Sequence, residues 1–166
     1  MADEPIEKYA SGEAGPMSEQ APLLRVCSLL NKHSAKYLVV GARACWLHGY
    51  VRATMDVDIL VPEDTGNHER IIAALSELQD HAAAELTPQD FVENVVVKIA
   101  DEVEVDVSTR ARRVSYSEAI ETSLIAVINE VEVPYVDLKT LIESKRTQRD
   151  QDKVDVQRLL DLAKES

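Results

Sequence analysis

Two apolar runs joined through a glycine turn constrain this chain most, because the second carries carboxylates where a buried strand should carry none. The stretch runs from Tyr37 to Val61, YLVVGARACWLHGYVRATMDVDILV. Tyr37 to Val40 reads as a short buried strand. Gly41 supplies a turn, and Ala42 to His48 reads as one or two helical turns closed by Gly49. Thr54 to Val61 reads as a second strand. Side chains alternate along a strand, so Asp56 and Asp58 share one face while Val57 takes the other. Val57, Ile59, Leu60 and Val61 imply a largely buried strand, in which unpaired acids are costly. Two like charges on one face add to that cost unless something cationic lies between them. A hard divalent cation, held by one or two carboxylates plus substrate phosphates, meets the need.

Length and charge narrow the classes that remain. A chain of 166 residues is one domain, or one domain with a small helical appendage. It is 45% hydrophobic but only 4% aromatic, so its core must be built from Val, Leu, Ile and Ala. A net charge of −12 argues against tight nonspecific nucleic-acid binding, which needs Lys and Arg against phosphates. It leaves room for a nucleic acid touched at one end. Cys27 and Cys45 are too few for a disulfide scaffold or a zinc site and read as reduced thiols of a cytoplasmic protein. No run reaches the roughly 20 apolar residues of a membrane span. Asp3, Glu4 and Glu7 stand where a signal peptide would be basic.

Three segments follow from the patterning. Residues 1–16 mix acids, Gly and Pro without periodicity and are expected to form a disordered tail. Residues 17–136 form the core, opening with a helix capped by Ser18, with Pro22 in its first turn and an apolar face from Leu23 to Leu30. After Val61, Pro62 and Gly66 break the pattern, and Asn67 is expected to cap a helix reaching Leu78. Thr87-Pro88 reads as a cap for a short helix to Phe91. Val95 to Ile99 and Val103 to Val107 read as the arms of a β-hairpin, with Glu102, Glu104 and Asp106 sharing its polar face. Such a row of acids is either a solvated edge or part of a site. Arg110, Arg112 and Arg113 cluster just beyond it, to neutralise neighbouring acids or to meet a substrate phosphate. Ser115 and Ser117 precede a short helix, and Leu124 to Ile128 and Val131 to Val136 read as further strands. Pro134 is expected to separate the sheet from residues 137–166. These hold seven acids and seven bases, a balance that suggests helices laced by ion pairs: one capped by Asp137, one from Asp150 to Lys164. Trp46 reads as a core residue and His48 as a helix-terminal one favoured by the dipole.

Gly41-Ala42, then Arg52-x-Thr54-x-Asp56-x-Asp58 and an apolar tail, resembles the nucleotidyltransferase superfamily that includes DNA polymerase beta. The closer likeness is to small prokaryotic members, including those of toxin–antitoxin pairs. Leu141-Ile142-x-x-Lys145, then Arg149, Asp152, Asp155 and Leu159-Leu160, resembles the tail of several of them, so the likeness spans about Tyr37 to Leu160. It implies an α+β (α/β) fold, a small mixed β-sheet with flanking helices and C-terminal helices packed on it. It implies Asp56, Asp58 and Asp106 as catalytic carboxylates holding Mg2+ or Mn2+, with Glu104 competing for the third place. On the same likeness, Gly41, Ala42, Arg52 and Lys145 face the phosphates of an NTP, while Arg149 and Asp152 fix the C-terminal helix pair against the sheet. Arg52 could equally pair with one of the aspartates. The acceptor would be the hydroxyl of a tRNA end, a protein or a small molecule.

Ala42 departs from the pattern, standing where Ser or Gly is usual. Its backbone N–H is kept and the hydroxyl is lost. A second expectation is therefore a catalytically weak nucleotide-binding protein, or a toxin–antitoxin partner, of the same fold. A third is an acidic α+β interaction domain without a site, for which the three aspartates would lie far apart.

Overall fold

The computed structural model describes residues 14–51 and 53–165, with side chains from Gln20 onward. Most of the expected tail, residues 1–13, lies outside the described residues, as does Arg52. The first helix, α1, begins before Ser18 and spans Ala14–Lys32. Pro22 therefore stands inside the helix rather than in its first turn, where the missing N–H loses a bond to the carbonyl four residues back. Leu23, Val26, Cys27 and Leu30, all fully buried, carry the helix across that defect.

The chain is a mixed α/β structure around a six-stranded sheet. Its strands are β1 (Leu38–Val40), β2 (Asp56–Leu60), β3 (Val96–Ala100), β4 (Glu104–Ser108), β7 (Leu124–Ile128) and β8 (Val131–Tyr135). They lie in the order β3-β4-β2-β1-β8-β7. Parallel pairing joins β2 to β4 and β1 to β8, and the other neighbours are antiparallel. A separate two-stranded hairpin, β5 (Arg110–Ala111) with β6 (Val114–Ser115), carries the arginine cluster and turns through Arg112 at φ 58°.

Alternation sorts the site half of this sheet into two faces. Val57, Ile59, Val97, Ile99, Val105 and Val107 are buried on one of them. They join one continuous aliphatic core with α1 and with α3 (Thr65–Leu75), and α1 packs against α3, β2 and β8. Asp56, Asp58, Glu104, Asp106 and Lys98 occupy the intervening positions on the other face. Leu38 to Val40 feeds directly into α2 (Gly41–Leu47), whose residues from Ala42 onward are buried. At the end of the chain α6 (Leu138–Ser144) and α7 (Asp150–Glu165) pack together. The short helices α4 (Pro88–Glu93) and α5 (Tyr116–Ala119) complete the set of seven α-helices among the described residues.

Several boundaries differ from the expectations, each for a local reason. Asp64 caps α3, its carboxylate accepting the Asn67 N–H at 3.1 Å. Asn67 is instead fully buried, binding the backbone N–H and C=O of Lys36 at 2.7 and 2.9 Å and fixing the entry to β1. The hairpin turn falls one residue later than expected. Asp101 gathers the amides of Asp80, Ala82 and Glu102 at 2.6–2.9 Å, which ties the turn to the loop after α3. That removes Glu102 from β4, and its carboxylate accepts the Gln79 N–H. Pro134 lies within β8, as the expected strand allowed, and does not itself separate the sheet from the C-terminal helices. Val136 donates to Val39, so by alternation position 134 also turns its missing amide toward β1, where the ladder is a single register pair. The sheet gives way to helix at Asp137, whose side chain caps α6 as expected.

Candidate functional site

The acid pair is placed by register rather than by loops. Parallel pairing of β2 with β4 sets Asp56 against Glu104 and Asp58 against Asp106. Both acids of β4 are therefore level with a partner on β2, Glu104 with Asp56 and Asp106 with Asp58. Asp56, Asp58 and Asp106 all line one cleft of about 620 Å3, and Glu104 is exposed beside it. The arrangement in which the three aspartates lie far apart is not the one adopted.

Asp58 is the most confined of the set. Burial first, then the charge of Asp106, a hydrogen bond shared with it and the charge of Asp56 push its carboxyl up to about 7, against a smaller pull from Lys145. A carboxyl held there shares a proton with its neighbour near neutral pH, or gives it up to another cation. On its other side Asp58 presses against the glycine turn. Gly41 has φ +70°, and a Cβ built on it would lie 2.2 Å from Asp58 Oδ2. No side chain fits there, so the glycine is required twice over, by conformation and by the carboxylate.

Asp56 is fixed through its backbone. Its N–H donates to Thr54 Oγ1 at 3.2 Å, and its carbonyl accepts from Arg43 Nε at 3.1 Å. Arg43 is buried at 3% exposure. Sequence reasoning passed over it, although a lone cation inside an otherwise apolar helical turn was signal enough. Asp106 faces the other way as well, toward Lys98 across the antiparallel pair with β3. That lysine too went unnoticed, since its partner depends on where the hairpin turns.

The remaining expected residues are spread around the cleft. Gly41 and Ala42 line it, and Ala42 is 4% exposed. Lys145 also lines it but is closely held, with its ammonium 2.8 Å from Asp155 and 3.6 Å from Asp152. Asp155 further accepts from Tyr50 and Gln151, and Asp152 from Thr147 at 2.6 Å. Arg149 reaches Asp152, three residues on in the chain, at 3.8 Å, with its own side chain 79% exposed. Of the arginine cluster, Arg112 pairs with Glu143 at 2.7 Å, neutralising an acid of α6. Trp46 is core, at 3% exposure. His48 ends α2, but burial lowers its pKa, and its Nε2 meets the Val136 carbonyl at 2.8 Å. It acts as a neutral hydrogen-bonding group, not as a charge on the helix dipole.

Three aspartates offer a set made only of hard oxygen donors, which suits Mg2+ or Mn2+ and not a soft metal. Among the described residues no three Asp, Glu, His or Cys side chains stand closed into a metal-binding cluster. The acids instead face each other two by two across the strands, Asp58 with Asp106 and Asp56 with Glu104. Such pairing is how neighbouring carboxylates settle when a proton and Lys98 provide the compensating charge. A second, larger cavity of about 890 Å3 lies between α6, α7 and the segment from Arg113 to Thr122. It contains none of the aspartates of the sheet. No helix among the described residues is long and apolar enough to cross a membrane. The chain matches no protein-family model and no curated protein.

Proposed function

We propose that this protein is a divalent-metal-dependent nucleotidyltransferase that moves an NMP from an NTP to an acceptor hydroxyl. The observation that carries the reading is the register that sets Asp106 beside Asp58, on the strand face that meets the Gly41 turn. Three carboxylates on two neighbouring parallel strands, facing a glycine turn too tight for any Cβ, fit the resemblance noted in the sequence. Asp56, Asp58 and Asp106 would hold Mg2+ or Mn2+, which when bound neutralises charge on the transferring phosphoryl group. The acceptor oxygen attacks the α-phosphorus, the bond to the bridging oxygen breaks, and pyrophosphate leaves. Asp106 takes the acceptor proton, Gly41 and Ala42 face the phosphates, and Arg43 keeps Asp56 in place through its carbonyl.

The decisive experiment supplies labelled ATP, GTP, CTP or UTP with Mg2+ or Mn2+ and offers tRNA, protein extract and small-molecule hydroxyls as acceptors. Labelled product that disappears in Asp106→Asn supports the reading. Nucleotide bound but never transferred sinks it in favour of the second one, a nucleotide-binding or toxin–antitoxin partner protein. Two observations favour that alternative: Ala42 brings no hydroxyl, and Lys145 is already held by Asp155 and Asp152. Under the enzymatic reading, Ala42→Ser should tighten NTP binding by about one neutral hydrogen bond, ~0.5–1.5 kcal/mol, in equilibrium titration.

A further inference from the structure

The acid strands already carry a cation of their own. By register, one line across three strands reads Lys98 on β3, Asp106 on β4 and Asp58 on β2. Lys98 Nζ donates to both oxygens of Asp106, at 3.1 and 3.3 Å. The two ends of this pair are unequal: the lysine side chain is 67% exposed and the aspartate 14%. β3 is the outer strand of the sheet, so the lysine reaches in from solvent at the mouth of the cleft. Among the described residues its only ion-pair partner is Asp106. An exposed pair of this kind is weak, and a four-carbon stem lets the ammonium leave without moving the backbone.

We infer that Lys98 is a tethered counter-ion, standing at Asp106 in place of the divalent cation and swinging out to solvent when that cation binds. The inference rests on the reading that Asp56, Asp58 and Asp106 hold a divalent cation. Its physical basis is that Asp106 cannot serve both at once: two cations drawn to one carboxylate repel, and the mobile one yields. Cation binding is then a competition, weakened by the work of displacing the lysine. Once displaced, the ammonium stays at the cleft mouth, available to the phosphates of a nucleotide.

The test is calorimetric titration of Mn2+ alone into the wild-type chain, Lys98→Gln, Lys98→Arg and Lys36→Gln. Thermal melts of each metal-free form show that the fold is kept, and Lys98→Met, which retains the stem, replaces any glutamine variant that misfolds. Lys98→Gln should bind Mn2+ more tightly, by up to about fivefold, the ceiling set by the worth of an exposed pair. Lys98→Arg restores the pair and should stay within about twofold of wild type. Lys36→Gln loses the same charge beyond the far end of β1 and should also stay within about twofold, because solvent screens it. If Lys98→Gln gains no more affinity than Lys36→Gln, or loses affinity, Lys98 is not displaced and the inference fails. Heat of binding in none of the four overturns the divalent-cation reading itself, and this inference with it.

Discussion

Two lysine–carboxylate clusters flank the same cleft, and they differ in almost everything but composition. Lys145 with Asp155 and Asp152 sits between two helices, its three side chains 8%, 0% and 9% exposed. Lys98 with Asp106 sits across two strands, the lysine two-thirds exposed. In the helical cluster, hydroxyl and amide donors from Tyr50, Gln151 and Thr147 satisfy the remaining carboxylate oxygens. In the strand cluster both oxygens of Asp106 accept from Lys98, and its register neighbour on the other side is a second carboxylate, Asp58. The first is a closed network that holds a helix pair; the second is an open one with charge still to be compensated. Burial and satisfaction, not residue type, separate a structural ion pair from an exchangeable one.

The largest effect expected from this difference is at Asp155. Asp155→Ala leaves Lys145 buried beside the more distant Asp152 and should cost about 3–5 kcal/mol, the price of breaking a buried pair from one side. Urea unfolding followed through the single, buried Trp46 gives the number. A loss under about 1 kcal/mol would put the helical network in the same class as the exposed pair and break the comparison.

Next comes the cation. If the strand cluster is the exchangeable one, saturating Mg2+ or Mn2+ should stabilise the fold, by about 2.7 kcal/mol at a concentration one hundred times Kd. Asp58→Asn should erase the gain, whereas a conservative change in the helical network should leave it. Melts that ignore divalent cations in the wild-type chain would remove the metal from the site.

Without a divalent cation, Asp58→Asn should stabilise. The folded state raises the Asp58 carboxyl from its ordinary 3.8 to about 7, so folding favours the protonated form. Stability from this group is present below about pH 4 and is lost as pH rises toward 7. Asparagine has no proton to lose. The variant should match wild type at low pH and exceed it at pH 8 by roughly 1–3 kcal/mol, since one pKa unit is about 1.4 kcal/mol and two carboxylates share the effect. Chemical unfolding across that range checks it; a wild type whose advantage grows with pH would mean that Asp58 is compensated by a charge already in the fold.

How much of this was legible in the sequence follows from the range of each interaction. Alternation is local, so the valines alone could place Asp56 and Asp58 on one face of their strand and Asp106 on the polar face of its own; that the two faces coincide was only what the resemblance implied. The capping of α6 by Asp137 and of α4 by Thr87 and Asp90 depends on three or four residues and was equally readable. Register was not, because the Asp101 turn is set by amides some twenty residues earlier in the chain. Moving that turn by one residue sent Glu102 out of the strand and decided that Lys98 faces Asp106. Asn67 was misread for a related reason: its type suits a cap, but its bonds go to Lys36, thirty-one positions away. Lys145 was expected beside phosphates, and only the packing of α7 on α6 shows that Asp155 comes to meet it.

The smallest effect is also the sharpest test of the contrast. In the metal-free protein, Lys98→Gln removes an exposed ion pair, for which a change of 0–1 kcal/mol is the rule. Two contributions oppose each other here. Losing the pair destabilises, while Asp58, beside an Asp106 no longer balanced by the lysine, can keep its proton to higher pH. The first dominates above the Asp58 titration; the second offsets it below. Lys98→Gln should therefore be nearly silent at pH 5 and lose up to about 1 kcal/mol at pH 8, with the loss shrinking as salt shortens the Debye length to about 3 Å at 1 M. Unfolding curves at two pH values and two salt concentrations give the four numbers needed. A loss near that of Asp155→Ala, or one that salt leaves untouched, would show that the strand pair is as closed as the helical one.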